Sequence, residues 1–371
     1  MLHFFHVFST FDAGGLEVRA IQLMELLGDR ARHTVVSLDG KVGALSRLSP
    51  RVRLELALPP RGKGPVRTAF TTADHVQRHA PDLVLTYNWG SIEAVLGASL
   101  TRFPRVIHHE DGFGPEESLA PLRRRVWLRR ALLPTVRALV VPSRQLERLA
   151  VSVWHQPEAR VRYLPNGVDL ERFRPRRDPR GGGPVLIGHI GRFRPEKNQS
   201  RLIQAFADAR LLGRAELVFI GDGPLLPDAK ALAAKLGVAT GVRFLGNIPD
   251  PARAYRELDL VALSSTTEQM PLSVLEGMAT GLPIVSLAVG DVESMVSSAN
   301  QQLIVPLPPG PALGQMLTRV VDDPELRARV GKDNRAHAER TYALEACLSR
   351  HMRLYLDVAA RPGLNAARLG L

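Results

Sequence analysis

Apolar residues in this chain come in short runs separated by stretches with helical spacing. In the first half the runs fall at residues 2–8, 33–38, 52–57, 82–87, 105–109, 138–141 and 161–164. In the second half they fall at 185–190, 216–220, 242–245, 260–263, 284–287 and 303–305. They are rich in Val, Ile and Leu, the composition of strands buried on both faces. Helical periodicity between such strands predicts βαβ units and parallel sheets.

The pattern breaks at residues 172–184. From Phe173 the chain reads FRPRRDPRGGGP, with much Pro, Gly and Arg and no apolar period. Such composition predicts an exposed linker. It divides the chain into a first domain (1–172), a linker (173–184) and a second domain (185–340). A terminal helix and tail (341–371) follow, expected to pack back on the first domain. In that helix Leu344, Cys347, Leu348, Met352 and Leu354 recur at near-helical spacing. Each half opens on a fresh strand, which predicts two doubly wound α/β domains facing each other. Ligands of such sheets bind at the carboxyl ends of the strands, so a site in the cleft between the domains is expected.

Composition narrows the class. The 371 residues exceed one ordinary core and suit two domains. No apolar run reaches the roughly 20 residues of a membrane-spanning helix. The start, MLHFFHVFSTFDAGG, turns polar early and lacks a basic lead, unlike a signal peptide. A single cysteine, Cys347, allows no internal disulfide. A cytoplasmic setting is expected. The net charge of +12 points to anionic partners. Nucleic acid is not expected among them. No zinc-finger, basic-zipper or aromatic ribonucleoprotein motif is present, and aromatics are only 5%. Residues 121–134, PLRRRVWLRRALLP, alternate basic and apolar positions. They read either as a helix lying on anionic membrane at the inner face or as a core-facing helix with solvated arginines whose stems cover apolar surface.

Candidate chemistry concentrates in the second half. Glu268 and Glu276 lie eight residues apart in EQMPLSVLE, the first ending a strand and the second inside a helix that Pro271 and Ser273 can open. Free amides in that first turn suit a phosphate, and each carboxylate can accept two hydroxyls of a sugar diol. Arg192 and Lys197, in GRFRPEKN, follow a strand and can neutralise a diphosphate leaving group. Gly14 and Gly15 follow the first strand, where backbone can approach a ligand closely. Gly221 and Gly223 form a similar turn. Neither turn completes a dinucleotide fingerprint, which argues against a dehydrogenase. The run His108-His109-Glu110-Asp111-Gly112 ends another strand, and its histidines and acids suit acid–base or metal chemistry.

The stretch ELDLVALSSTTEQMPLSVLEGMATGLPIVSL resembles the defining motif of the retaining GT-B glycosyltransferases of family four (glycosyl transferases group 1). The order of other motifs is similar too: Gly14-Gly15, Pro165-Asn166-Gly167-Val168-Asp169, Gly191-Arg192 through Lys197-Asn198, Gly221-Asp222-Gly223-Pro224 and Phe244-Leu245-Gly246. The resemblance runs from the first strand to about residue 340. It implies Glu268 for the donor sugar, Glu276 for the ribose, Arg192 and Lys197 for the diphosphate, and the Gly14-Gly15 loop over the donor phosphate. It also implies a histidine near the donor sugar, a place that His109 or Asp111 takes. Gly221, Gly223, Leu245, Met270, Leu272 and Ser273 complete the expected donor-binding set. One departure stands out. Gln269-Met270-Pro271 replaces the family's Gly-Phe-Gly, and proline removes an amide. No metal or separate cofactor is expected, since GT-B enzymes generally work without one.

The expected reaction moves a sugar from a UDP- or GDP-sugar to a glycan or lipid-linked acceptor with retention of configuration. Domain closure would exclude water. With no nucleophile evident, same-face attack assisted by the departing phosphate is the expected route. The alternatives are a nucleotide-sugar epimerase or phosphorylase on the same scaffold, and a non-catalytic basic binding protein.

Overall fold

The computed structural model describes residues 1–12, 14–60, 64–113, 117, 122–177, 181–248 and 250–360. The chain forms two compact units. Met1–Pro165 joins with the described residues from Cys347 to Ala360, and Asn166–Ala346 forms the other.

In the first unit the elements are β1 (Leu2–Phe8), α1 (Gly15–Leu27), β2 (Ala31–Ser37), β3 (Arg53–Leu56), α2 (Pro65–His79), β4 (Leu83–Tyr87), α3 (Ile92–Leu100), β5 (Val106–His109), α4 (Arg123–Leu132), β6 (Ala138–Val141), α5 (Arg144–Ser152) and β7 (Val161–Tyr163). The strands form one parallel sheet in the order β3-β2-β1-β4-β5-β6-β7. In the second unit they are β8 (Val185–Ile190), α6 (Gln199–Asp208), β9 (Ala215–Ile220), α7 (Leu226–Lys235), β10 (Val242–Phe244), α8 (Pro251–Glu257), β11 (Leu260–Leu263), α9 (Leu272–Ala279), β12 (Ile284–Leu287), α10 (Val292–Met295), α11 (Ser298–Gln301), β13 (Ile304–Val305), α12 (Ala312–Asp322) and α13 (Pro324–Thr341). Their sheet, also parallel, runs β10-β9-β8-β11-β12-β13. The last helix, α14 (Leu344–Ala359), begins in the second unit and continues in the first.

Each run read as a strand forms one, within two residues at either end. Central strands such as LVLTY of β4 and LVAL of β11 are buried at every position, as covered parallel sheets require. In both sheets the order reverses once, between β1 and β4 and between β8 and β11. Connections leave such a pair in opposite directions and open a crevice at the strands' carboxyl ends.

Two expectations need correction. The stretch read as an exposed linker is exposed or half-buried except at Phe173, but where it is described it belongs to the second unit. Phe173 is 5% exposed, lies in that unit's core and meets the Tyr255 ring edge-on at 5.5 Å. Arg172 pairs with Asp250 at 2.9 Å and Arg176 with Asp259 at 2.7 Å. One buried phenylalanine has no period, so pattern reading passes over it. Residues 178–180 of that stretch lie outside the described residues, as do Ala13, Pro121 and the tail after Ala360.

The basic helix α4 fits neither reading fully. Arg125 and Arg129, four residues apart, share its inward face. Arg129 is fully buried, with Nη1 3.0 Å from Glu117 Oε1 and Nε 3.2 Å from Glu110 Oε2. Arg125 Nη1 reaches Glu117 Oε2 at 3.1 Å. The outward face carries Arg123, Arg124, Trp127 and Leu128. In α14 the buried face carries Tyr355 rather than Leu354.

Candidate functional site

The second unit places its candidate residues at the β8/β11 crevice. Gly191 to Lys197 leave the end of β8, and a left-handed Asn198 (φ 45°) turns the chain into α6, its side chain accepting from Arg201 N at 3.3 Å. Strand β11 ends at Leu263, so Glu268 sits five residues into the following loop rather than on the strand. The two loops are stitched together. Thr266 N donates to Glu196 O at 2.8 Å, and Ser264 Oγ donates to Asn198 O at 2.8 Å. Arg201 Nη1 donates to Ser264 O at 3.1 Å. This fixes the backbone beneath the central contact, Lys197 Nζ to Glu268 Oε1 at 2.6 Å. Ser265 Oγ donates to the same oxygen at 2.7 Å. Charge-assisted bonds of this length are among the stronger ones a protein makes. Arg192, on the same loop as Lys197, is exposed, with no side-chain partner among the described residues.

The Glu268 loop is held from two further directions. A Cβ on Gly290 (φ +57°) would lie 2.2 Å from Glu268 O, so only glycine lets the loop after β12 come this close. On the other side Asn166 N approaches Met270 Sδ at 3.2 Å and Asn166 Nδ2 donates to Met270 O at 3.5 Å. Met270 is buried, and Pro271, in extended backbone, directly precedes α9 instead of opening its first turn. Proline has no amide to offer, so the free N–H groups of that helix start are those of Leu272 and Ser273.

One turn on, Glu276 accepts a hydrogen bond from Tyr255 Oη at 2.7 Å. Its desolvated position pushes its carboxyl up to about 7, against the opposing pull of Tyr255 and Arg172. Gly221 and Gly223 answer to backbone packing. A Cβ on Gly221 (φ +137°) would lie 2.2 Å from Gly191 O, and one on Gly223 would lie 2.5 Å from Phe193 O. Backbone bonds from Gly191 N to Ile220 O and from Phe193 N to Asp222 O join the same loops. Leu245, at the end of β10, is 40% exposed.

The first unit places its candidates at the ends of β1 and β5. Gly14 precedes α1 and Gly15 begins it. The carboxylate of Glu17 folds back over this start and hydrogen-bonds the backbone of Glu17 and Gly14. A Cβ on Gly14 would lie 2.4 Å from Glu17 Oε2. The place expected for a ligand anion thus holds one of the chain's own. His109 and Asp111 part company. His109 is fully buried, stacked on Tyr87 at 5.1 Å and bonded through Nε2 to Tyr355 Oη at 2.8 Å. Burial foremost, and the nearby Arg19 charge, hold its imidazole well below its usual range, so it is neutral. Asp111 is partly exposed, pairs with Arg19 at 2.7 Å and donates its N–H to Asn88 Oδ1 at 2.7 Å. Of the two, Asp111 is the one a ligand could reach.

Sequence reading passed over Ser265, Tyr255 and Arg19. Ser265 is one of four consecutive hydroxyl residues, Tyr255 reads as core, and Arg19 carries no motif. Among the described residues no group of three or more His, Cys, Asp or Glu side chains is placed to hold a metal ion.

Residues 13–172 match the family model described as Glycosyltransferase Family 4, and residues 172–337 match that of Glycosyl transferases group 1. D-inositol 3-phosphate glycosyltransferase of Corynebacterium glutamicum is 30% identical over 225 residues, 56% of this chain and 54% of that protein. The chain spans about half the length of the curated relatives it matches. Among solved structures, sucrose-phosphate synthase of Thermosynechococcus elongatus superposes with a TM-score of 0.82 at 20% identity, covering 96% of this chain and 99% of that one. HepE of Anabaena, solved with UDP, superposes with a TM-score of 0.79 at 18% identity, covering 96% and 100%. These likenesses identify the two parallel α/β units as the GT-B fold. With two family models meeting at residue 172 and that fold in both halves, the chain belongs to the group 1 glycosyltransferases of family four.

Proposed function

We propose that this protein transfers a sugar from a nucleoside-diphosphate sugar to a hydroxyl-bearing acceptor, a glycan or lipid-linked glycan, with the donor held by the second unit. The observation that carries this reading is the Lys197–Glu268 pair at the β8/β11 crevice, with the exposed Arg192 on the same loop as Lys197. Bond cleavage at the anomeric carbon leaves negative charge on the diphosphate. Arg192, Lys197 and the Leu272 and Ser273 amides stabilise it there without reorganising. Glu268 accepts from sugar hydroxyls and Glu276 from the ribose. Retention proceeds by same-face attack, the departing phosphate taking the acceptor's proton. HepE has been solved with UDP-glucose, which supports a UDP-sugar as the first donor to try, with GDP-sugars second.

The outward face of α4 supports a second contact, with anionic membrane. Trp127 is 67% exposed beside Leu128, Arg123 and Arg124, and Arg130 lies over its ring at 5.5 Å. Aromatic and basic residues together suit the headgroup layer. Trp127→Ala should lower binding to phosphatidylserine vesicles, and equal binding by both proteins would refute the contact. No helix among the described residues is long and apolar enough to cross a membrane.

Thermal unfolding with UDP, GDP, ADP and their sugar conjugates tests the donor reading. A ligand at about 100 times its dissociation constant adds roughly 2.7 kcal/mol. Stabilisation by one nucleotide series, lost in Lys197→Ala, is expected. No stabilisation by any of them removes the reading.

A further inference from the structure

We propose that Tyr255 is a positioning residue that aims Glu276 at the ribose of the donor. The inference rests on the donor reading above and adds a residue to it. Tyr255 lies on α8 and is fully buried. Its ring is fixed edge-on by Phe173 at 5.5 Å, so its hydroxyl has one place to point. That hydroxyl donates to Glu276 Oε2 at 2.7 Å, with Ser273 O a longer second acceptor at 3.3 Å. The other carboxylate oxygen, Oε1, has no partner among the described residues. One oxygen is therefore held and the other is open to a ligand hydroxyl. The arrangement repeats at Glu268, where Ser265 and Lys197 hold Oε1 and leave Oε2 open.

A buried tyrosine hydroxyl needs some acceptor, and a glutamate backbone or side chain would serve any fold. A second role shows itself in protonation. A ribose diol donates to the carboxylate, so it binds the ionised form. Burial raises the Glu276 titration to about 7, and the Tyr255 hydroxyl and then the Arg172 charge oppose that rise. Other charged groups near α9 are occupied or remote. Arg335 of α13 donates to Leu170 O, Phe173 O and Ala279 O, and Glu293 of α10 is exposed. Strands β11 and β12 present Val261 and Ile284 to the helix at Gly277. Removing the hydroxyl takes away the largest opposing influence, so Glu276 titrates higher still and ribose binding needs a higher pH.

The test is calorimetric binding of UDP and GDP, each beside its 2′,3′-dideoxy counterpart, from about pH 6 to about pH 8.5. Wild type, Tyr255→Phe and Glu276→Ala are compared. In wild type the ribonucleotide should weaken relative to the dideoxy form as pH falls below about 7. In Tyr255→Phe the ribonucleotide should weaken about fivefold at neutral pH, with its midpoint about one pH unit higher, and recover at the alkaline end. Dideoxy binding should be unchanged. Equal loss for both nucleotides with no movement of the midpoint would make Tyr255 a packing residue only and overturn the proposal. So would a wild-type profile identical for the two nucleotides, a measurement that needs no variant to fold. Should Glu276→Ala bind ribonucleotide as well as wild type, the ribose assignment itself falls. Loss in Glu276→Ala beside an unaffected Tyr255→Phe removes only the role of Tyr255.

Discussion

Replacing Arg129 with methionine should destabilise the first unit in a way that acid partly reverses. The guanidinium is fully buried and serves two buried carboxylates. It meets Glu110 at 3.2 and 3.3 Å and Glu117 at 3.0 and 3.1 Å. Trp154, Trp89 and Phe113 surround it with ring centroids at 4.8, 5.1 and 5.6 Å. With Arg125 on Glu117, the cluster balances two negative charges against two positive ones. Methionine fills much of the space but leaves one carboxylate charge buried and unmatched. Burial by itself raises the Glu110 carboxyl; contact with His108 and the Arg129 charge hold it below its usual range. Without Arg129 the carboxyl escapes by taking a proton. Protonating a group of ordinary value 4.5 costs about 3.4 kcal/mol at pH 7 and about 1.4 kcal/mol at pH 5.5. The pH 7 figure agrees with the roughly 3–5 kcal/mol seen when one partner of a buried pair is removed. All three tryptophans, Trp89, Trp127 and Trp154, lie in the first unit, so fluorescence in a urea titration reports on it alone. The expected penalty is about 3 kcal/mol at pH 7, about 2 kcal/mol smaller at pH 5.5, and largely removed when Glu110→Gln is added. A penalty below about 1 kcal/mol at pH 7, or one equal at both pH values, would refute the reasoning.

The first unit should also be acid-labile over a defined range. His3 and His33 are lowered to about 4 and His351 to about 3, each chiefly by burial. The folded state thus binds fewer protons than the unfolded chain. Their contribution is complete above the unfolded value of about 6.5 and shrinks as pH falls towards about 4, by up to about 1.4 kcal/mol per pH unit for each group. Tryptophan-detected stability that stays level from pH 7 to pH 5 would contradict this. In the second unit, Gly290→Ala combines a left-handed backbone, worth about 1–3 kcal/mol of strain, with a methyl against Glu268 O. The variant should melt earlier by calorimetry and lose nucleotide stabilisation together with it; normal melting and normal nucleotide response would show the loop to be freer than the packing implies.

What could be read from the sequence follows the range of the forces involved. Strands such as VLIGHI and AELVFI are buried on both faces by helices adjacent in sequence, so composition alone marks them. Lys197 and Glu268 were legible for a related reason. Each lies just beyond a recognisable strand, and the parallel order brings those two strand ends together. What the sequence leaves out has the opposite property. His109 is buried and bonded to Tyr355, 246 residues away, and Phe173 packs in the core against a tyrosine on α8. The arginines of α4 are divided between core and surface by Glu110 and Glu117, carboxylates outside the helix that its own periodicity does not record. Nor does a serine among hydroxyl neighbours reveal that one of them, Ser265, faces a glutamate three residues on. In each case a side chain changes meaning with a partner that its own neighbourhood in sequence does not show. Ser265 and Tyr255, which help hold Glu268 and Glu276 in place, therefore emerge only when the second unit is assembled, although the glutamates themselves stand out in a nine-residue stretch of sequence.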